Sequence, residues 1–200
     1  MMWLRLIPAL LLAGCSALPV QQKSAEQKPV EPVAYRVHLE HLAAIENFGL
    51  EGRIGVLTET KGFSGTMRWH HRNDGDTIAF YSPLGTQLGE LEADANGVTL
   101  TTSQKTYHAA DAETLTQQTL GWSLPLRGLP DWALGRPTKG DAEILAWDTA
   151  GRISKLRQQG WDIEYPTYQN QGFELPTKIV LKSRKLDLKL VVENWHVESQ

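Results

Sequence analysis

From residue 50 onward, apolar and polar residues alternate with a period of two, in short runs separated by turn signals. That pattern leaves few folds open. Successive side chains on a strand point to opposite faces, so each run reads as a strand with one face buried and one wet. The last run is the plainest. Leu186, Leu188, Leu190 and Val192 share one face, and Asp187, Lys189 and Glu193 take the other. Earlier runs repeat the pattern with Leu50, Ile54 and Val56, then Phe63, Met67 and Trp69 against Ser64, Thr66, Arg68 and His70. Ile78 and Phe80, then Leu88, then Val98 and Leu100 follow. Asn73-Asp74-Gly75-Asp76 and Ala95-Asn96-Gly97 supply hairpin turns. Strands resume at Ile144 to Trp147, Ile153 to Gln158 and Trp161 to Tyr165, and again past Gly172 and Pro176 at Ile179 and Leu181.

Helical spacing interrupts this pattern in two places. Tyr35, Leu39, Leu42 and Ile45 fall on one face of a first helix, with His38, Glu40 and His41 elsewhere on the wheel and Gly49 closing it. In the middle, Asp111 caps a helix through Thr119 that carries Leu115. A short helix from Pro130-Asp131 carries Trp132, Ala133 and Leu134 to Gly135. The expected fold is mainly β with inserted helices: ten to eleven antiparallel strands that must bury one face. Curling round the helices into an incomplete, half-open barrel would do so, and barrels of about eight strands or more can hold a small apolar ligand. No internal repeat is present.

The N-terminus points to export. Arg5 is followed by an apolar run from Leu6 to Ala13, broken by Pro8, that ends in Leu12-Ala13-Gly14-Cys15. The run is too short to span a bilayer, which takes roughly 20 residues, but it suits a secretory signal. It resembles the bacterial lipoprotein signal. That resemblance implies cleavage before Cys15, diacylglycerol on its thiol and a third acyl chain on its freed amine. Ser16, where an Asp would favour the inner membrane, implies an outer-membrane address. Residues 1 to 14 are then a cleaved signal. Residues 15 to 34, with Pro19, Pro29 and Pro32, form a lipidated N-terminus and tether, and 35 to 200 form one domain. The expected location is the periplasmic face of the outer membrane.

Cys15 is the chain's single cysteine, which excludes a disulfide framework. The net charge is -3, and losing residues 1 to 14 leaves 19 basic against 23 acidic residues. A mildly acidic chain with no basic block argues against nucleic acid as partner. Catalytic patterns are weak. Gly62-Phe63-Ser64-Gly65-Thr66 ends in Thr where a nucleophile elbow needs Gly. His70 and His71 are adjacent on a strand and face opposite sides. His38 and His41 lie one helical turn apart and could share a metal, but a solvated helix face is the better explanation. No phosphate-cradling loop is present. Neither catalysis, nor a metal, nor a cofactor is expected.

Segments in order along nearly the whole chain resemble the LolB family of outer-membrane lipoprotein receptors. They are Leu50-Glu51-Gly52-Arg53-Ile54, Ser64-Gly65 before Trp69, Ser82-Pro83-Leu84-Gly85, Gly121-Trp122-Ser123-Leu124-Pro125, Trp132-Ala133-Leu134-Gly135, Gly160-Trp161 with Tyr165 and Tyr168, Leu175-Pro176, and Glu193-Asn194-Trp195. The resemblance implies an incomplete barrel closed by helices around an apolar cavity. It implies a monomeric receptor that takes acylated lipoproteins from the soluble carrier LolA and inserts them into the outer membrane. It also implies that Leu84, flanked by Pro83 and Gly85, projects into solvent to aid insertion. From the strand pattern, Ile54, Val56, Met67, Trp69, Phe80 and Leu100 are candidate cavity residues, with plain core packing an equal alternative for each. Two other readings stay open: a structural lipoprotein subunit of an outer-membrane assembly machine, and a lipid-anchored hydrolase.

Overall fold

A computed structural model describes residues 30–197. Cys15, the signal and most of the tether lie outside the described residues. Eleven strands form one antiparallel sheet: β1 (Phe48–Thr58), β2 (Gly62–Arg72), β3 (Gly75–Tyr81), β4 (Gln87–Asp94), β5 (Gly97–Thr102), β6 (Thr106–Ala109), β7 (Ala142–Trp147), β8 (Ile153–Gln158), β9 (Trp161–Asn170), β10 (Glu174–Lys182) and β11 (Leu186–Val197). Their order across the sheet is β6-β5-β4-β3-β2-β1-β11-β10-β9-β8-β7. Two meanders, β1–β6 and β7–β11, therefore meet at the β1–β11 seam. Edges β6 and β7 do not pair, so the barrel is incomplete, as expected.

The segment from β6 to β7 runs from one free edge to the other and crosses the open side. It holds α2 (Ala112–Thr119) and α3 (Leu129–Ala133). Asp111 caps α2 by accepting a hydrogen bond from the Thr114 amide at 2.7 Å. Leu115, Trp122, Leu124, Leu129 and Trp132 from this crossover are buried in one cluster with the inward faces of the strands. Trp132 Nε1 donates to Gln158 Oε1 at 2.9 Å, and the same amide side chain bonds the Thr138 backbone through both its oxygen and its nitrogen. Gln158 is thus a fully paired polar group inside the core, which is how a buried amide avoids its desolvation cost.

Five sequence expectations need correcting. The first helix, α1 (Val33–Ala43), stops before Ile45, and Gly49 belongs to β1 rather than closing the helix. His38 is not on its solvated face: it is buried with Tyr35 and Leu42. Leu88 is not half-buried in the alternation. It is 43% exposed, because Gly89 and Leu91 take the inward places of β4 and alternation turns Leu88 to the other face. Strand β6, absent from the sequence reading, alternates exposed Thr106 and His108 with half-buried Tyr107 and Ala109. Pro176 lies inside β10 at a register shift rather than opening the strand.

Candidate functional site

Antiparallel pairing places the turns 59–61, 82–86 and 103–105 at the same end of the first meander. At that end lies an apolar cavity of about 200 Å³. Its wall comes from β1 (Val56), β2 (Phe63), β3 (Phe80), β4 (Leu88, Gly89), β5 (Leu100) and the start of the crossover (Leu120, Trp122). The Trp122 ring stacks on Phe63 at 6.3 Å and meets Phe80 edge-on at 6.4 Å. Lys61 stands at the rim.

Of the six candidate cavity residues, Val56, Phe80 and Leu100 line this space. Ile54, Met67 and Trp69 do not: they are packed deeper along the same face. Trp69 is anchored there, donating to Asp76 Oδ1 at 2.7 Å. Phe63, Leu120 and Trp122 were missed. Alternation marks which residues face inward, but depth depends on distance from the turns at the mouth. Phe63 directly follows the 59–61 turn, and that was the signal available.

The loop between β3 and β4 projects from this end. Ser82 closes it twice: its carbonyl accepts from the Gly85 amide at 2.9 Å, and its amide donates to the Thr86 carbonyl at 2.8 Å. Pro83 starts the turn, and Gly85 ends it with φ +85°, a conformation that favours glycine. Leu84 at the tip is 95% exposed, the most exposed large apolar side chain among the described residues. A leucine held out by a hydrogen-bonded turn, beside an apolar cavity, is covered by nothing among the described residues.

A second depression, of about 1150 Å³, lies at the other end of the sheet and is polar. His70, His71, His108 and His196 line it. His71 contacts Asp76 at 2.7 Å and His108 contacts Thr99 at 3.0 Å. Among the described residues no three His, Cys, Asp or Glu side chains group to hold a metal ion. His38 and His41 separate, His38 inward beside the Tyr168 ring and His41 in solvent.

An open β-sheet with a plugged concave side, an apolar cavity at one end and an exposed leucine beside it defines a class: small carriers or receptors for apolar chains. Known proteins agree. The family model described as "Outer membrane lipoprotein LolB" matches residues 46–195. An outer-membrane lipoprotein LolB from Stutzerimonas stutzeri is 33% identical, covering 94% of this chain and 91% of its own. One from Nitrosococcus oceani is 36% identical, covering 98% of this chain and all of its own. Solved structures of a DUF1329-family protein from Desulfovibrio piger (TM-score 0.52, 86% of this chain, 94% of that one) and of a LolA-superfamily protein from Nitrosomonas europaea (TM-score 0.50, 84% and 96%) share the fold at 9% identity. The chain belongs to the LolB family of outer-membrane lipoproteins.

Proposed function

We propose that this protein is a lipid-anchored outer-membrane receptor in lipoprotein localisation. It accepts acylated lipoproteins from the periplasmic carrier LolA and places them in the outer membrane. In this reading Cys15 is the acylated residue, residues 15–34 are the lipidated N-terminus and tether, and the receptor acts as a monomer, without catalysis or nucleotide. The observation that carries it is the apolar cavity opening beside the fully presented Leu84.

The physics requires such a device. Each buried methylene is worth about 0.8 kcal/mol, so two or three acyl chains in water cost tens of kcal/mol. Cargo must pass from cavity to cavity, and a rise in affinity of about 1.4 kcal/mol per step gives a tenfold bias. An apolar cavity of roughly 150 Å³ admits benzene. The present 200 Å³ therefore holds only part of one chain. Cargo entry requires the Leu120–Trp122 wall to move outward.

The test is transfer. The chain from residue 16 keeps every described element of the fold. Mixed with LolA carrying a triacylated lipoprotein, it is expected to take the cargo without nucleotide. Cargo that stays on the carrier, with both proteins folded, overturns the reading. Leu84→Glu is expected to accept cargo normally and to fail in inserting it into liposomes. Full insertion by that variant would remove Leu84 from the mechanism.

A further inference from the structure

We infer that the cavity end of the sheet carries a cationic collar that seats the molecule, mouth down, on the anionic phospholipids of a bilayer. This rests on the receptor reading and adds a second membrane contact to Leu84, made by charge rather than by apolar insertion.

The collar follows from strand direction. The turns 59–61, 103–105 and 183–185 all lie at the end where the cavity opens. Thr58 faces Leu186 across the β1–β11 seam, so the third turn sits beside the first. Together they present Lys61, Lys105, Arg184 and Lys185, all exposed, against one acid, Glu59. None of the four cations enters an ion pair among the described residues. Lys105 Nζ stands only over the Tyr107 ring, at 5.1 Å. Other basic residues differ: Arg53, Arg68 and Lys155 on the strands are each paired with a carboxylate. Lys182 pairs in register with Asp162 and Asp187.

Apolar groups share this end. Leu84 is 95%, Leu57 61% and Leu88 43% exposed. Exposed acids lie at both ends: Asp74, Asp94 and Glu46 at the far end, and Asp162 and Asp187, each opposite Lys182, near this one. The chain as a whole is at -3, so an anionic surface repels it unless it is approached collar first. A cation near an anionic bilayer gains about fivefold in binding, and the effect weakens within a Debye length of about 10 Å at 0.1 M salt. Docked this way, the mouth opens onto the lipid and Leu84 reaches it first.

The test uses the chain from residue 16 and sedimentation with vesicles of neutral phosphatidylcholine, or of the same lipid with one third phosphatidylglycerol. Binding to the anionic vesicles is expected to exceed binding to the neutral ones by at least tenfold and to fall with added salt. Changing Lys61, Lys105, Arg184 and Lys185 to Gln is expected to abolish that preference. Changing Arg53, Arg68, Arg72 and Lys155 to Gln, the same loss of charge elsewhere, is expected to leave most of it. Equal binding to both vesicles, or equal loss in both variants, overturns the collar. So does a collar variant that keeps its vesicle binding but no longer takes cargo from the carrier in solution, since the collar then contacts protein. Transfer measured without vesicles tests the receptor reading separately, so the two can fail independently.

Discussion

His38 shows how one residue resists being read from sequence. Its position on the helical wheel placed it with Glu40 and His41, yet it faces inward against the edge of the Tyr168 ring at 6.4 Å, and its buried Nε2 has no hydrogen-bond partner among the described residues. Burial lowers its pKa. Arg152 and His41 lower it further, while Glu174 and Asp148 oppose them. Arg152 is itself held by Asp148 and Glu174 and lies over Tyr168, 4.4 Å from the ring centre. The sign follows directly. Above pH 6.5, the ordinary histidine value, both folded and unfolded states are neutral at His38 and it contributes no pH dependence. As pH falls below that, the unfolded chain takes up a proton that the folded chain refuses, and stability drops until the folded pKa is passed. Urea unfolding at pH 7.5 and 5.5 is expected to show a larger loss for the natural chain than for His38→Phe. Equal losses would mean that His38 titrates normally in the folded protein.

At the scale of elements, what was legible is what burial writes into the sequence. The strands with a wet and a dry face, β1, β2 and β11 above all, follow the period-two pattern because each has water on one side only. Helix α2 follows from Asp111, whose carboxylate, held below its ordinary range by the Thr114 amide, satisfies an otherwise unpaired donor. Asp111→Ala is expected to lose this cap and to lower Tm by about 2–4 °C in calorimetry. An unchanged Tm would show the cap to be redundant. Elements with a weak signature were not legible. Strand β6 is a four-residue edge whose alternation of exposed Thr106 and His108 with half-buried Tyr107 and Ala109 is too short to tell from a loop. Leu88 falls on the outward face by plain alternation with Leu91, next to a register shift against β3. Gly52 sits at another such shift, between β1 and β11, where a Cβ would collide with the Val191 carbonyl oxygen. The sequence marks that glycine but not the strand that crowds it. The cavity was half legible for the same reason: facing is local, while depth depends on which strands pair and where.

The whole molecule divides its interior unevenly between the two meanders, and this division is what a receptor of this kind needs. The β7–β11 half is filled: Trp132 is fully buried and bonded to Gln158, and α1 packs Tyr35 on Trp147 with ring centres 4.5 Å apart. The β1–β5 half leaves space, and Trp122 is the wall that closes it. Trp122 borders that space, while Trp132, bonded to Gln158, fixes the other part of the crossover in the core. Replacing either tryptophan by alanine is therefore expected to have different consequences. Each removes a large buried ring at a cost of about 3–5 kcal/mol. Trp122→Ala belongs at the low end, since its ring borders a cavity already present, and it is expected to bind an apolar fluorescent fatty acid more tightly than the natural chain. Trp132→Ala belongs at the high end, because it also leaves the Gln158 carbonyl with one partner fewer, and it is expected to gain no affinity. Parallel measurement of Tm and fatty-acid binding decides the matter. If both variants gained affinity equally, the two halves would be one continuous cavity, and the division of labour between them would not hold.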